Sequence, residues 1–125
     1  MTSLPDILLE AWEQRNGPIV LTTTDAEGLP NAIYASCVRK CDDGTFVVAD
    51  NYFDKTRANI LAGSKASLLF ITQDRKGYQL KGALEYLTSG ERWEEMQTWV
   101  DAKHPRRAAV VLHVEQVYNG ATRLL

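Results

Sequence analysis

Asp50-Asn51-Tyr52-Phe53-Asp54-Lys55-Thr56-Arg57-Ala58-Asn59-Ile60 joins an apolar, strand-like run, Phe46-Val47-Val48-Ala49, to a segment that reads as a short helix. Asp54 suits the N-cap, where a carboxylate can accept from free N–H groups of the first turn. Lys55 and Thr56 follow at the helix start, where unpaired amides and the positive end of the dipole favour an anion. A lysine and a hydroxyl at that point suit a terminal phosphate, each charge-assisted hydrogen bond contributing about 1.5–3 kcal/mol. The same residues also read as an ordinary solvated first turn, in which basic groups oppose the dipole.

Working outward, the stretch is preceded by three strand-like segments, residues 18–24, 31–40 and 45–49. Asp25-Ala26-Glu27-Gly28 and Cys41-Asp42-Asp43-Gly44 turn the chain between them, which gives a meander. After it, residues 55–62 make about two helical turns ended by Gly63, and residues 66–72 and 78–88 are strands joined by Asp74-Arg75-Lys76-Gly77. Thr88-Ser89-Gly90-Glu91 matches a capping box and opens a helix whose Trp93, Met96, Trp99 and Val100 read as a packing face. Residues 108–117 form a last strand, apolar on both faces apart from His113 and Glu115. At the other end, Ser3 with Asp6 resembles a capping box, and Leu4, Ile7, Leu8, Ala11 and Trp12 share one helical face before Asn16-Gly17 stops it. Six strands and three helical pieces predict a mainly β fold with peripheral helices: a six-stranded antiparallel barrel, closed or nearly so, as a single domain over residues 1–125. In the second strand, Ala32 to Val38 carries no charge on either face. One face is expected to fill the barrel and the other to meet a ligand or a partner subunit.

Composition excludes several classes. The chain has 125 residues and a net charge of −2, and no lysine–arginine cluster large enough to neutralise many phosphates, so nucleic acid is a poor partner. No apolar run approaches membrane-spanning length. The N-terminus, Met1-Thr2-Ser3-Leu4-Pro5-Asp6, lacks the charged and apolar regions of a signal peptide, which points to a cytoplasmic protein. Cys37 and Cys41 would stand about 13 Å apart in an extended strand, beyond disulfide reach, so free thiols are expected.

The order of parts, a meander followed by the Asp50–Ile60 stretch, a strand, a turn and then Tyr78-Gln79-Leu80-Lys81-Gly82-Ala83-Leu84-Glu85-Tyr86, resembles the FMN-binding split-barrel superfamily. That superfamily includes pyridoxamine 5'-phosphate oxidase and the small FMN-binding proteins of sulfate-reducing bacteria, the latter nearer in length. The resemblance runs from the first helix to the last strand and lies in the order and spacing of short motifs. It implies a split barrel, FMN as cofactor, and a homodimer with FMN at the subunit interface. Lys55 and Thr56 match the family's phosphate-holding positions. Ile33, Tyr34, Ala35 and Ser36 match the strand along the ring system and ribityl chain. Ala49, Asp50 and Asn51 match contacts to the ring edge and the ribityl-phosphate arm, and Leu80, Lys81 and Gly82 match the strand that completes the pocket from the other subunit. Backbone amides would satisfy the ring's polar edge, and the small Ala35 and Ala49 leave room for it. Two departures argue against pyridoxamine phosphate oxidation itself. Ile33 stands where those enzymes have an arginine, and this sequence ends at Arg123-Leu124-Leu125 where they continue with basic residues.

The cofactor would carry the electron chemistry, because independent catalytic groups are few. His104 precedes Pro105 in a loop and reads as solvated or capping as readily as catalytic; His113 reads as a half-buried strand residue. Neither a nucleophile motif nor metal-ligand spacing is present. Tyr34 and Tyr52 would either border the flavin or join the core. Asp50 would either modulate the ring and ribityl hydroxyls or shape the turn through its side-chain oxygen. The readings left open are an FMN-dependent oxidoreductase with an unknown donor and substrate, a non-enzymatic FMN carrier or electron-transfer protein, and a barrel binding another phosphorylated ligand such as a deazaflavin, or a haem-related molecule.

Overall fold

The computed structural model describes residues 3–125. Met1 and Thr2, on which part of the leader reading rests, lie outside the described residues. The elements run α1 (Asp6–Glu13), β1 (Ile19–Thr24), β2 (Pro30–Ala35), β3 (Val38–Lys40), β4 (Phe46–Asp50), α2 (Lys55–Leu61), β5 (Ala66–Ile71), β6 (Gly77–Leu87), α3 (Glu91–Trp99), β7 (Ala108–Asn119) and β8 (Thr122–Arg123). The strands form one antiparallel sheet in the order β2-β1-β5-β6-β7-β4-β3, with the short β8 paired to β7.

The ends of that order decide the shape. β2 pairs with β1 at one edge and β3 pairs with β4 at the other, yet only Ser36 and Cys37 separate them in the chain. Three Cα steps reach at most about 11 Å, so the sheet must curl until its two edges meet. That is a split barrel. The second predicted strand is therefore two strands, because a single run leaves one edge and enters the other. Cys37 and Cys41 consequently do not share an uninterrupted strand, and both are free, half-buried thiols.

Barrel filling follows the period of two along each strand. Ile19 and Leu21 of β1, Phe46 and Val48 of β4, Leu68 and Phe70 of β5, and Val110 and Leu112 of β7 point into one core. α1 closes it with Leu8 and Trp12. The Trp12 ring meets Phe46 and Phe70 edge-on, at centroid distances of 4.9 and 5.1 Å, an arrangement that suits the aromatic quadrupoles. On the outer face, Val47 and Ala49 with Ala109 and Val111 are covered by Met96 of α3 and by Val100, and Trp93 and Trp99 pack at the margin. This second layer explains why every residue of β4 is buried.

Between β6 and β7 the register shifts at Lys81/Gly82: Lys81 faces Gln116 and Gly82 faces Val114, leaving Glu115 as the extra residue of a bulge. The backbones approach so closely that a Cβ on Gly82 would lie 1.8 Å from the His113 carbonyl oxygen.

The predicted caps differ from those observed. α1 starts at Asp6 behind Pro5 rather than at Ser3, and the Pro5 carbonyl accepts from Leu8 N–H at 3.0 Å. α3 starts behind Gly90, whose φ of +91° replaces the capping-box geometry. Asp54 does occupy the N-cap of α2, but at φ −131°, ψ −85° its side chain makes no cap hydrogen bond; capping by a side-chain oxygen needs a β-region backbone there. Among the described residues no helix is long and apolar enough to cross a membrane.

Candidate functional site

A cleft of about 380 Å³ opens where β2 runs past the end of β4, lined among others by Ile33, Tyr34, Ala35, Ser36, Ala49 and Asn51. All six are residues that the sequence singles out. Cys37, Tyr52, Phe53 and His104 complete the lining. On β2, Ile33 and Ala35 pack against the barrel core while Tyr34 is 77 % exposed. The outer face of this uncharged strand is thus bare within one chain, and it is the face expected to meet a ligand or a partner subunit. An uncharged exposed strand face is the kind of surface a partner or ligand covers.

Asp50 behaves differently from its neighbours Ala49 and Asn51. It has the parity of Phe46 and Val48, so its carboxylate turns inward and is fully buried. There it accepts hydrogen bonds from Phe53 N–H at 3.0 Å, Arg57 Nε at 2.7 Å, Arg57 Nη2 at 3.0 Å and the Tyr86 hydroxyl at 2.5 Å. Burial alone would raise its pKa, but the Arg57 and Tyr86 hydrogen bonds and the Phe53 amide outweigh it and hold the carboxyl below the ordinary range. Tyr86 is pushed up by its own burial and by the adjacent carboxylate. Asp50 therefore shapes the turn and ties α2 to β4 and β6; it does not line the cleft.

At the start of α2, Lys55 is exposed and Thr56 is buried. The Thr56 hydroxyl accepts from Asn31 Nδ2 at 3.1 Å, which links α2 to β2; neither Lys55 nor Thr56 is among the residues lining the cleft. Leu80 is fully buried in the core, so only its backbone can meet a ligand. Lys81 points the other way, into a separate groove of about 450 Å³ that it shares with Thr22, Thr24, Lys65, Gln79 and Glu115. Its ammonium lies 5.2 Å from the Tyr118 ring centroid, and Lys65 and Glu115 pair beside it at 2.8 Å. Within one chain this groove and the cleft share no lining residue.

The feature that residue patterns did not reveal is the loop between α3 and β7. Asn51 Oδ1 accepts from Arg106 N–H at 3.0 Å, and the Asp50 carbonyl accepts from Arg107 N–H at 2.9 Å. Arg106 adopts φ +49°, a left-handed conformation unusual for a side-chain-bearing residue. Gln97 holds it from the far side, with Gln97 Nε2 donating to the Arg106 carbonyl and Arg106 Nη1 donating to the Gln97 carbonyl, both at 3.0 Å. So fixed, the loop places His104 at the cleft, where its Nδ1 lies 3.2 Å from the Tyr52 hydroxyl and the two rings meet edge-on. The pairing spans 52 positions and has no local signature. Among the described residues no group of three or more potential ligands could hold a metal ion.

A curled antiparallel sheet with its two edges joined through two residues, and a cleft along the joining strand, defines a small split-barrel protein. The sequence profile of the pyridoxamine 5'-phosphate oxidase family matches residues 7–120, and the chain belongs to that family. An uncharacterized protein of Methanocaldococcus jannaschii is 31 % identical over 109 residues, covering 83 % of this chain and 73 % of that protein. The crystal structure of HupZ from Group A Streptococcus shares 28 % identity with a TM-score of 0.78, covering 94 % of each chain. An FMN-binding protein from Syntrophomonas wolfei superposes with a TM-score of 0.77 over 94 % of this chain and 91 % of that one, at 20 % identity, a likeness of fold.

Proposed function

We propose that this protein binds FMN in the cleft along β2 and acts as a cytoplasmic, homodimeric flavoprotein oxidoreductase of a single domain. The observation that carries the reading is the meeting of Ile33, Tyr34, Ala35, Ser36, Ala49 and Asn51 in one cleft. Its size lies within the range of small-molecule sites, and it is lined by small and aromatic side chains with a few polar groups. Lys55 and Thr56, at the start of α2 and outside the cleft lining, would hold the phosphate. Asn31, bonded to Thr56, fixes α2 against the strand that would carry the ring. Bound FMN would supply the electron transfer, and the protein its placement. The bare face of β2, and the location of Lys81 in a groove apart from the cleft, support completion of each site by a second subunit. The free thiols Cys37 and Cys41 accord with a reducing compartment.

Ile33 at the position of an arginine speaks against pyridoxamine phosphate as the substrate. A second reading, an FMN carrier or electron-transfer protein, is favoured by the small number of candidate acid–base side chains in the cleft lining, namely Tyr34, Cys37, Tyr52 and His104. The test is incubation of the purified protein with FMN, desalting, and an absorbance spectrum. Retained flavin bands at about one FMN per chain support the site, and a colourless protein refutes it. Turnover by the loaded protein with a nicotinamide or protein donor then separates the oxidoreductase from the carrier.

A further inference from the structure

The geometry points to His104 as a ligand-contacting residue of the cleft, its Nε2–H offered as a donor to the acceptor edge of a bound planar heteroaromatic ring, with Tyr52 fixing the tautomer. The inference rests on the flavin reading above and adds to it a residue on a different element. His104 lines the cleft and spends Nδ1 on the Tyr52 hydroxyl. A phenol beside a neutral imidazole is the better proton donor, so Tyr52 O–H donates to Nδ1 and the imidazole proton resides on Nε2. If the ring gains a second proton, Nδ1–H donates to the phenol oxygen and Nε2 still carries hydrogen. Either way Nε2 presents N–H, and an oxidised isoalloxazine offers carbonyl oxygens and ring nitrogens that accept.

The loop that carries His104 is held as a site residue's support would be. Asn51 Oδ1 takes the Arg106 amide, the Asp50 carbonyl takes the Arg107 amide, and the Asp101 carbonyl takes the His104 amide at 3.0 Å. Arg106 stays in its left-handed conformation under these bonds, a local strain that surrounding contacts must outweigh. Asn51, assigned by family resemblance to cofactor contact, thereby acts as a positioning residue through its side-chain oxygen.

Two measurements on this protein test the proposal. In the ligand-free protein, 15N resonances of the His104 ring at a pH where it is neutral should show a pyridine-type Nδ1 and a pyrrole-type Nε2. Tyr52→Phe should move both toward the mixture of a free imidazole. The reverse assignment, with the proton on Nδ1, overturns the proposal. Second, His104→Ala should weaken FMN and riboflavin alike, by about tenfold, the loss of roughly one hydrogen bond. His104→Gln, which keeps a donor, should recover most of it. Unchanged flavin affinity in His104→Ala overturns the inference while leaving the flavin site intact. A wild-type protein that binds neither flavin overturns the site itself and this contact with it.

Discussion

Replacing Asp50 by asparagine tests how α2 is held. The wild-type carboxylate accepts four hydrogen bonds, from Phe53 N–H, both Arg57 nitrogens and the Tyr86 hydroxyl. Asparagine keeps the shape and one acceptor oxygen, which can serve Phe53 and Arg57 Nη2. Its amide nitrogen then faces Arg57 Nε and Tyr86, and it has no charge to offer the guanidinium. Losing one charge-assisted bond and repolarising another should cost about 2–3 kcal/mol. Asp50→Ala, which strands every donor, should cost about 3–5 kcal/mol, as for a broken buried pair. With roughly 2.1 cal/mol/K of unfolding entropy per residue over 125 residues, the asparagine variant should melt about 10 °C below wild type. The pH dependence has a definite sign. The folded-state pKa of Asp50 is lowered, so its contribution is fully present above the unfolded-state value, about 3.9, and is lost as pH falls through the lower folded value. Urea titrations of both proteins at pH 7 and at steps below pH 4 measure the gap. A gap under about 0.5 kcal/mol at pH 7 refutes the anchoring role, and one that stays constant through the acid range refutes the linkage.

Three further outcomes are expected. Gly82→Ala places a Cβ 1.8 Å from the His113 carbonyl, so the β6–β7 ladder must part at the bulge; a loss of about 3 kcal/mol or more is expected by urea unfolding, and a wild-type midpoint would refute the close approach. Trp12→Ala removes the plug between Phe46 and Phe70 and should cost about 3–5 kcal/mol in the same assay. Lys55→Ala should weaken FMN about tenfold or more and leave riboflavin unchanged, because FMN alone carries the phosphate; equal losses by fluorescence titration would refute the phosphate role.

Apolar runs bounded by turn residues made most strands legible, start and stop residues with helical spacing did so for the three helices, and packing of Met96 with Trp93 and Trp99 followed from that spacing. The break at Ser36-Cys37 was not legible. Both halves of that run are apolar enough to be strand, and its interruption arises because the sheet curls until the run spans two edges. The caps failed for a related reason: Ser3, Asp54 and Thr88 are the right residue types, but side-chain capping depends on backbone angles that packing sets. His104 was legible only as a loop residue, since its meaning comes from a partner 52 positions away.

The assigned site divides along the strand period. Resemblance assigns contiguous runs, Ile33 to Ser36, Ala49 to Asn51 and Leu80 to Gly82, whereas a strand sends successive side chains to opposite faces. On β4 the runs separate cleanly: Ala49 and Asn51 reach the cleft, and Asp50 between them turns into the barrel to hold Arg57. On β6, Leu80 fills the core while Lys81 faces an outer groove. Inward members of such runs can meet a ligand only through backbone amides, and their side chains answer to the core. Substitutions at Asp50 and Leu80 should therefore register first as stability, and those at Tyr34, on the outer face of β2, as binding. This division follows from parity alone and holds whichever ligand the cleft accepts.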